Sequence, residues 1–185
     1  MKYSQIENKI ILASKSKVRK DILEKNNIKC KVIVSNVDEE IIKDSLIKEG
    51  ASPEIISKNL AEVKAIKVSN LHQEKLVLGA DSVIDLDNEI ISKPQNRDEA
   101  LEILKKLNGK EHFLISSVTI ARNGSMSWNF TDKAMLKMKK FPENQLKTYL
   151  SKISDNDLYS YNVYQIEGEG RALFSSIEGD EGTIM

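Results

Sequence analysis

Leu78-Gly79-Ala80-Asp81-Ser82-Val83, followed downstream by Lys93-Pro94, sets an acid behind a short apolar run and a cation after it. Leu76 to Leu78 read as an interior strand, and Gly79 and Ala80 leave room for another group to approach the backbone closely. Asp81 is then expected to emerge where the strand stops and a pocket begins. A carboxylate in that position is either a cap or turn residue or part of a site, because buried carboxylates need partners. An acid at a strand end with a cation behind it is the layout of a phosphate-handling site. Lys93 is further restricted by Pro94, since the residue before a proline is held extended and its side chain is aimed reproducibly.

Working outward, Ile10 to Ala13 reads as a strand, Ser14 to Lys17 as a turn, and the next segment as a helix that Asn26-Asn27 closes. Lys31 to Val34 reads as a second strand, and Asp38-Glu39-Glu40 opens a helix ending near Gly50. Ser52-Pro53 is a cap with proline at the first helical position, and Ile55, Ile56, Leu60, Val63 and Ile66 follow at helical spacing, flanked by Lys64 and Lys67. Ser82 to Leu86, the turn Asp87-Asn88 and Glu89 to Ile91 predict a hairpin. Asn96 caps a helix to Leu107 with Gly109 beyond it, and Glu111 to Ala121 pairs through Asn123-Gly124 with Met126 to Met138. Pro142 starts a short helix, Asp155 to Gly170 is rich in turn formers, and Ala172 to Ile177 reads as a last strand. No repeat or long linker divides residues 1–185, so the chain is read as a single domain.

A chain of 185 residues can bury a core without staples. Its 28 basic and 28 acidic side chains cancel, which argues against a protein that holds nucleic acid through counterion release. Cys30 is the only cysteine, so there is no intrachain disulfide, no redox pair and no cysteine-rich zinc site. The stretch 1–8 is too polar for a signal peptide, and no apolar run reaches membrane-spanning length. A cytoplasmic protein without membrane partners is expected.

Ser14-Lys15-Ser16-Lys17-Val18-Arg19 stands between a strand and a helix, where free N–H groups, hydroxyls and the helix dipole can face an anion; a capped surface helix has the same composition. There is no Walker-type phosphate loop, and Gly168-Glu169-Gly170 is too short to signal a dinucleotide fold. Glu39 or Glu40 joined by Asp81 offers hard oxygens for a divalent cation, although Val37-Asp38-Glu39-Glu40 alone is an ordinary helix start. Lys64 and Lys93 are the cations available to neutralise phosphate oxygens. His112, at the start of a strand and with no second residue at metal-ligand spacing, reads more readily as a hydrogen-bonded structural residue than as a base.

Taken in order, Leu12-Ala13-Ser14-x-Ser16-x-x-Arg19, Val37-Asp38-Glu39, Leu60-Ala61-x-x-Lys64-Ala65, Gly79-Ala80-Asp81-Ser82-Val83, Lys93-Pro94, Leu107-Asn108-Gly109-Lys110-x-His112 and Tyr164-Gln165-Ile166-Glu167-Gly168 resemble the Maf family. Each motif is weak alone, but seven in one order are specific, because chance matches multiply. The resemblance implies an α/β fold with a mixed central sheet flanked by helices and two lobes around a nucleotide cleft, like that of the inosine triphosphate pyrophosphatases. It also implies a cytosolic nucleoside triphosphate pyrophosphatase, a divalent cation (Mg²⁺ or Mn²⁺) and a homodimer.

Carried over position by position, the resemblance makes Asp81 the general base, Glu39 and Asp81 the metal ligands, and Ser14, Arg19, Lys64 and Lys93 the phosphate contacts. Gln165 and Glu167 would face the base. The chain departs from the family where Pro-Arg-Arg or Pro-Trp-Arg-Arg commonly follows the second serine: Lys17, Val18, Arg19 and Lys20 stand there. It also ends at Met185, where many members continue with Gly-Leu-Pro-Leu and a short helix, and looser packing or a looser dimer is the expectation. Glu167-Gly168-Glu169-Gly170 resembles the branch acting on 7-methyl-GTP more than the branch acting on dTTP and UTP. A carboxylate can accept from two neighbouring N–H groups on a guanine edge, which agrees with that lean. The competing reading is a nucleotide-binding regulator of cell division without turnover.

Overall fold

The computed structural model describes residues 10–184, so the N-terminal stretch 1–8 discussed above lies outside the described residues. The fold is α/β with a mixed sheet, as the sequence leads one to expect. By compactness the chain forms two units, one running to Ser82 and resuming over Ser116–Asp132, the other formed by Val83–Ile115 and the chain from Lys133 onward.

The first unit begins with β1 (Ile10–Leu12), α1 (Lys17–Lys25), β2 (Cys30–Val32), α2 (Glu39–Lys48) and α3 (Pro53–Leu71). β1 lies parallel to β2, with Ile11 opposite Lys31, and parallel to β3 (Leu76–Leu86), with Ile11 opposite Val77. Here β5 (Glu111–Arg122) and β6 (Ser125–Met138) complete the strand order β2-β1-β3-β5-β6. Each helix starts where its sequence supplies a cap: the side chains of Ser16, Asp38 and Ser52 accept from the N–H groups of Arg19, Ile41 and Ile55. Asn123 and Gly124 both adopt positive φ, at 51° and 76°, the left-handed pair that suits a two-residue hairpin between β5 and β6.

Two expectations about this unit are corrected. Asp81 does not follow the end of a strand, because β3 continues unbroken from Leu76 to Leu86 and Asp81 sits in its middle. The room expected at Gly79 is used, and the group that approaches is the backbone of α3. A Cβ at Gly79 would lie 2.2 Å from the carbonyl oxygen of Ala61 and 2.8 Å from the amide nitrogen of Ala65. The buried side of α3 is accordingly Ile56, Ser57, Leu60, Ala61, Lys64, Ala65 and Val68, whereas Ile55 is exposed. Lys64 therefore lies within the buried face and does not flank it.

In the second unit β3 turns through Asp87 and Asn88, both at positive φ, into β4 (Glu89–Ile91), giving the expected hairpin with Asp85 opposite Ile90. The carboxylate of Asp85 accepts the Asn88 N–H at 2.9 Å and fixes that turn. α4 (Arg97–Leu107), α5 (Glu143–Ser151), α6 (Asp155–Tyr161), β7 (Phe174–Glu178) and α7 (Glu181–Ile184) follow. Leu104, Leu107, Leu136, Met138, Leu146 and Leu158 are fully buried at the centre of this unit. α6 stands where the sequence reads only as turn formers. Its helix is set by the Ser154 cap on Asp157 N–H and anchored by the buried Leu158.

Two of the sequence motifs meet in this core. The side chain of Asn108 both donates to the carbonyl of Phe141 and accepts its N–H, at 2.8 Å each, closing the end of α4. His112 is 1% exposed, and its Nε2 lies 2.9 Å from the hydroxyl of Tyr164, with the Phe174 ring packed against both. Burial holds His112 down to about 4, so it is neutral near pH 7 and serves the packing.

Gly79→Ala is expected to cost about 2 kcal/mol or more in a urea titration, because the obstacle is backbone and no rotamer change relieves it. For His112 the folded-state value lies below the unfolded one, so its stabilising effect is present above about pH 6.5 and is lost as pH falls toward 4. The stability lost over that interval, on the order of 3 kcal/mol, should largely vanish in His112→Gln. An unchanged acid limb in that variant would remove His112 as its cause.

Candidate functional site

The close approach that Gly79 permits places the residue one turn along α3 against the next outward step of β3. Lys64 reaches Asp81, Nζ to Oδ1 at 2.6 Å, and the same ammonium lies 2.9 Å from Oε2 of Glu39 in the first turn of α2. Lys64 and Asp81 are 5% and 6% exposed, whereas the Glu39 side chain is 42% exposed. Two carboxylates thus converge on one cation, from the buried side and from the solvent side. The hydroxyl of Ser57, two turns before Lys64 on the same helix face, donates to the main-chain carbonyl of Asp81 at 3.2 Å and pins the strand at that residue.

Burial pushes the Asp81 carboxyl above the usual carboxylate range, while the Lys64 ammonium and the Arg19 guanidinium pull it back. The carboxyl is therefore a stronger proton acceptor than a surface aspartate.

A second group of contacts ties the turn after β1 to the same strand. Arg19 donates through Nη1 to the carbonyl of Ala80 at 2.8 Å and to Oγ of Ser14 at 3.4 Å, and through Nη2 to Oγ of Ser82 at 3.2 Å. Ser14 is buried, and its hydroxyl also accepts the Ser16 N–H at 3.2 Å. Ser82 continues to the hydroxyl of Ser116 on β5 at 2.7 Å. Arg19, itself bonded to Ser14, thus braces the two residues on either side of Asp81. Ser57 and Ser116 carried no signal as single serines in the sequence; the spacing Ser57-x-x-x-Ala61-x-x-Lys64-Ala65 was the sign that Ser57 shares the face of Lys64.

Of the residues singled out from sequence, the first unit brings together Ser14, Arg19, Glu39, Lys64 and Asp81. Lys93, Gln165 and Glu167 belong to the second unit. Lys93 is exposed between β4 and α4, just before the buried Pro94. Gln165 is half-buried and accepts the Gly168 N–H at 3.3 Å through its carbonyl, in a turn that leaves Glu167 exposed. Gly170 has a packing reason: a Cβ there would lie 2.5 Å from the Gln165 carbonyl oxygen.

For a divalent cation, Glu39 and Asp81 are the suitable donors, being hard oxygens already gathered around a positive charge. Among the described residues there is no group of three or more His, Cys, Asp or Glu side chains placed to hold a metal. A pair of carboxylates is nonetheless the usual protein share for Mg²⁺, which takes its remaining oxygens from water and substrate phosphates.

The family of Maf-like proteins matches residues 9–185. This chain belongs to that family. Over 176 residues it is 68% identical to a nucleoside triphosphate pyrophosphatase of Pelagibacter ubique, covering 95% of this chain and 90% of the relative. It is 36% identical over 177 residues to a 7-methyl-GTP pyrophosphatase of Brucella abortus, covering 96% and 89%. A solved HAM1 protein of Coxiella burnetii aligns with 94% of this chain and 87% of its own at 12% identity, with a TM-score of 0.48. No helix among the described residues of this Maf-like protein is long and apolar enough to cross a membrane.

Lys64→Met leaves the buried Asp81 without its ammonium and should destabilise the protein by about 3 kcal/mol or more at pH 7. The Asp81 value is raised in the fold, so protonation favours the folded state and stability is regained as pH drops below that value. Denaturation of Lys64→Met at pH 7 and pH 5 should therefore show a smaller deficit at pH 5. An equal deficit at both would separate the loss from Asp81.

Proposed function

We propose that this Maf-like protein is a nucleoside triphosphate pyrophosphatase, hydrolysing the bond between the α- and β-phosphates to give a nucleoside monophosphate and pyrophosphate. The observation that carries the reading is the buried Asp81 held by Lys64 beside Glu39, on a strand braced by Ser14 and Arg19. The activities for which the Pelagibacter and Brucella relatives are named support it.

In the reaction a water oxygen bonds to the α-phosphorus, the bond from that phosphorus to the bridging oxygen breaks, and the proton of the water passes to Asp81. Burial favours this transfer by raising the proton affinity of the carboxyl, while the adjacent Lys64 ammonium acts in the opposite sense by favouring the ionised form. Displacement at phosphorus depends mainly on alignment and charge neutralisation, which falls to the cations. Lys64 supplies one beside the base. Arg19 has its guanidinium committed to Ala80, Ser14 and Ser82, so its part is to fix the Ser14 turn and to project positive charge. Lys93 is assigned the remaining phosphate charge on the family resemblance.

Glu39 and Asp81 are the residues to hold Mg²⁺ or Mn²⁺. A bound divalent cation would neutralise phosphate oxygens and help to orient the triphosphate. Base choice is assigned to the segment from Gln165 to Gly170, with Glu167 facing a purine edge and 7-methyl-GTP preferred over dTTP and UTP. The Glu167-Gly168-Glu169-Gly170 pattern and the substrate for which the Brucella relative is named support that preference. Homodimeric assembly and a cytoplasmic setting complete the proposal.

The test is pyrophosphate release from 7-methyl-GTP, GTP, ITP, CTP, UTP and dTTP with Mg²⁺ or Mn²⁺, with Asp81→Asn in parallel. Release is expected to favour 7-methyl-GTP, to stop with a chelator, and to fall by roughly 10²-fold or more in Asp81→Asn. Nucleotide binding with no release from any substrate would replace the enzyme by a regulator; preference for dTTP and UTP would overturn the base assignment alone.

A further inference from the structure

The hydrogen bonds around Arg19 form a chain that runs in one direction only. A guanidinium donates and never accepts, so the Ser82 hydroxyl receives Nη2 of Arg19 through a lone pair, at 3.2 Å. The Ser82 proton then needs an acceptor of its own. Oγ of Ser116 on β5, 2.7 Å away, is the other partner of that hydroxyl among the described residues, so Ser82 donates and Ser116 accepts. In the opposite direction, Nη1 of Arg19 donates to Oγ of Ser14 at 3.4 Å, and the Ser16 N–H donates to the same oxygen at 3.2 Å. Both lone pairs of the Ser14 hydroxyl are thereby occupied. Ser14 is 7% exposed, and its proton is committed to no acceptor among the described residues. A buried hydroxyl whose oxygen already accepts twice can meet a ligand only as a donor, which selects an anionic oxygen.

Side chains alternate along a strand, so Ser82 points away from the side of β3 on which Asp81 meets Lys64 of α3, and Ser116 stands on the Ser82 side. On β5 that side is the more open one: Ser116, Val118 and Ile120 are half-buried, whereas Ser117, Thr119 and Ala121 are buried. The Ser117 and Thr131 hydroxyls bond at 2.8 Å on the closed side, which leaves Trp128 and Phe130 of β6 on the side of Ser116. Trp128, the only tryptophan of the chain, is 49% exposed there and stacked on Phe130 with ring planes at 11°. Neither Ser82 nor Ser116 faces the Asp81 carboxylate, so whatever they contribute to the site passes through Arg19.

We propose that Ser116, acting through Ser82, is a positioning residue for polyphosphate binding, resting on the reading of Ser14 as a phosphate contact. Ser116 takes the Ser82 proton and so turns the Ser82 lone pair onto Arg19. The guanidinium held in this way fills the second lone pair of Ser14 and leaves the Ser14 proton directed at a phosphate oxygen. Removing one link of the chain costs about one net hydrogen bond, a factor of roughly five in affinity. The bond of 2.8 Å from Arg19 to the Ala80 carbonyl does not depend on how Ser82 is turned. The backbone beside Asp81 therefore stays braced, and the effect of Ser116 falls on binding and not on bond cleavage.

Titration calorimetry of the full chain with inorganic triphosphate and Mg²⁺ reads this without turnover. Ser116→Ala should raise the Kd about fivefold, and Ser116→Thr, which keeps the hydroxyl, should restore it. Ser14 and Ser116 share no direct bond, so unconnected structural roles would add; in a Ser14→Ala background the chain has lost its end, and Ser116→Ala should change the Kd no further. In pyrophosphate release, Ser116→Ala should raise KM by the same factor with kcat within about twofold of the wild type. No binding of inorganic triphosphate by the wild type, wild-type affinity in Ser116→Ala, a threonine variant as weak as the alanine one, or an additive loss in the double variant would each overturn the proposal. The expected Kd pattern without pyrophosphate release from any nucleotide would uphold Ser116 as a positioning residue and remove the enzymatic reading alone.

Discussion

The close contact of α3 with β3 is the constraint on which the candidate site depends. With no side chain at Gly79 and only methyl groups at Ala61 and Ala65, helix and strand backbones approach more closely than larger residues would permit. Lys64 then needs no long reach to meet Asp81, and its ammonium is held between two carboxylates at 2.6 and 2.9 Å. Three small residues thus fix a distance that three charged residues use. A buried ion pair of this kind contributes little net stability once desolvation is counted, so its retention is better explained by what it does to Asp81 than by what it adds to the fold.

Around that pair, each backbone neighbour of Asp81 has its own tether. Arg19 takes the carbonyl of Ala80 and the hydroxyl of Ser82, and Ser57 takes the carbonyl of Asp81 itself. These contacts come from α1 and α3, elements far apart in sequence, and they leave the acid side chain oriented by more than its own rotamer preference. Positioning of this sort is what displacement at phosphorus requires, because most of the catalytic benefit lies in alignment and fixed charge.

Much of this was legible in the sequence, and the exceptions have identifiable causes. Caps such as Ser52 and Asn96 act within four residues of themselves, so they are read locally and correctly, and Ser16 and Asp38 cap helices at the places where the sequence reads a turn and an acidic helix start. The family motifs picked out Ser14, Arg19, Glu39, Lys64 and Asp81, which the first unit gathers. What misled was Asp81 itself: a carboxylate after an apolar run looks, in one dimension, like the point where a strand leaves the core, whereas β3 continues through it. The buried face of α3 was misassigned for a related reason, since Ser57, Ala61 and Lys64 are not apolar enough to mark it while the exposed Ile55 is. Among the described residues of α6, Leu158 is the one strongly buried, and a single anchor gives no period to detect. The partnership of His112 with Tyr164 joins residues 52 apart in sequence and is invisible without the fold.

The exposure of Trp128 has an optical consequence. Because the only indole in the chain is already about half in contact with water in the folded protein, its emission reports first on its surroundings at the surface of β6. Among the described residues Tyr149 and Tyr164 are the buried tyrosines, and Tyr164 packs edge-on against Phe174 at 4.8 Å. The molecule therefore carries two spectrally separate reporters, an indole for what touches its surface and phenols for whether its interior is intact.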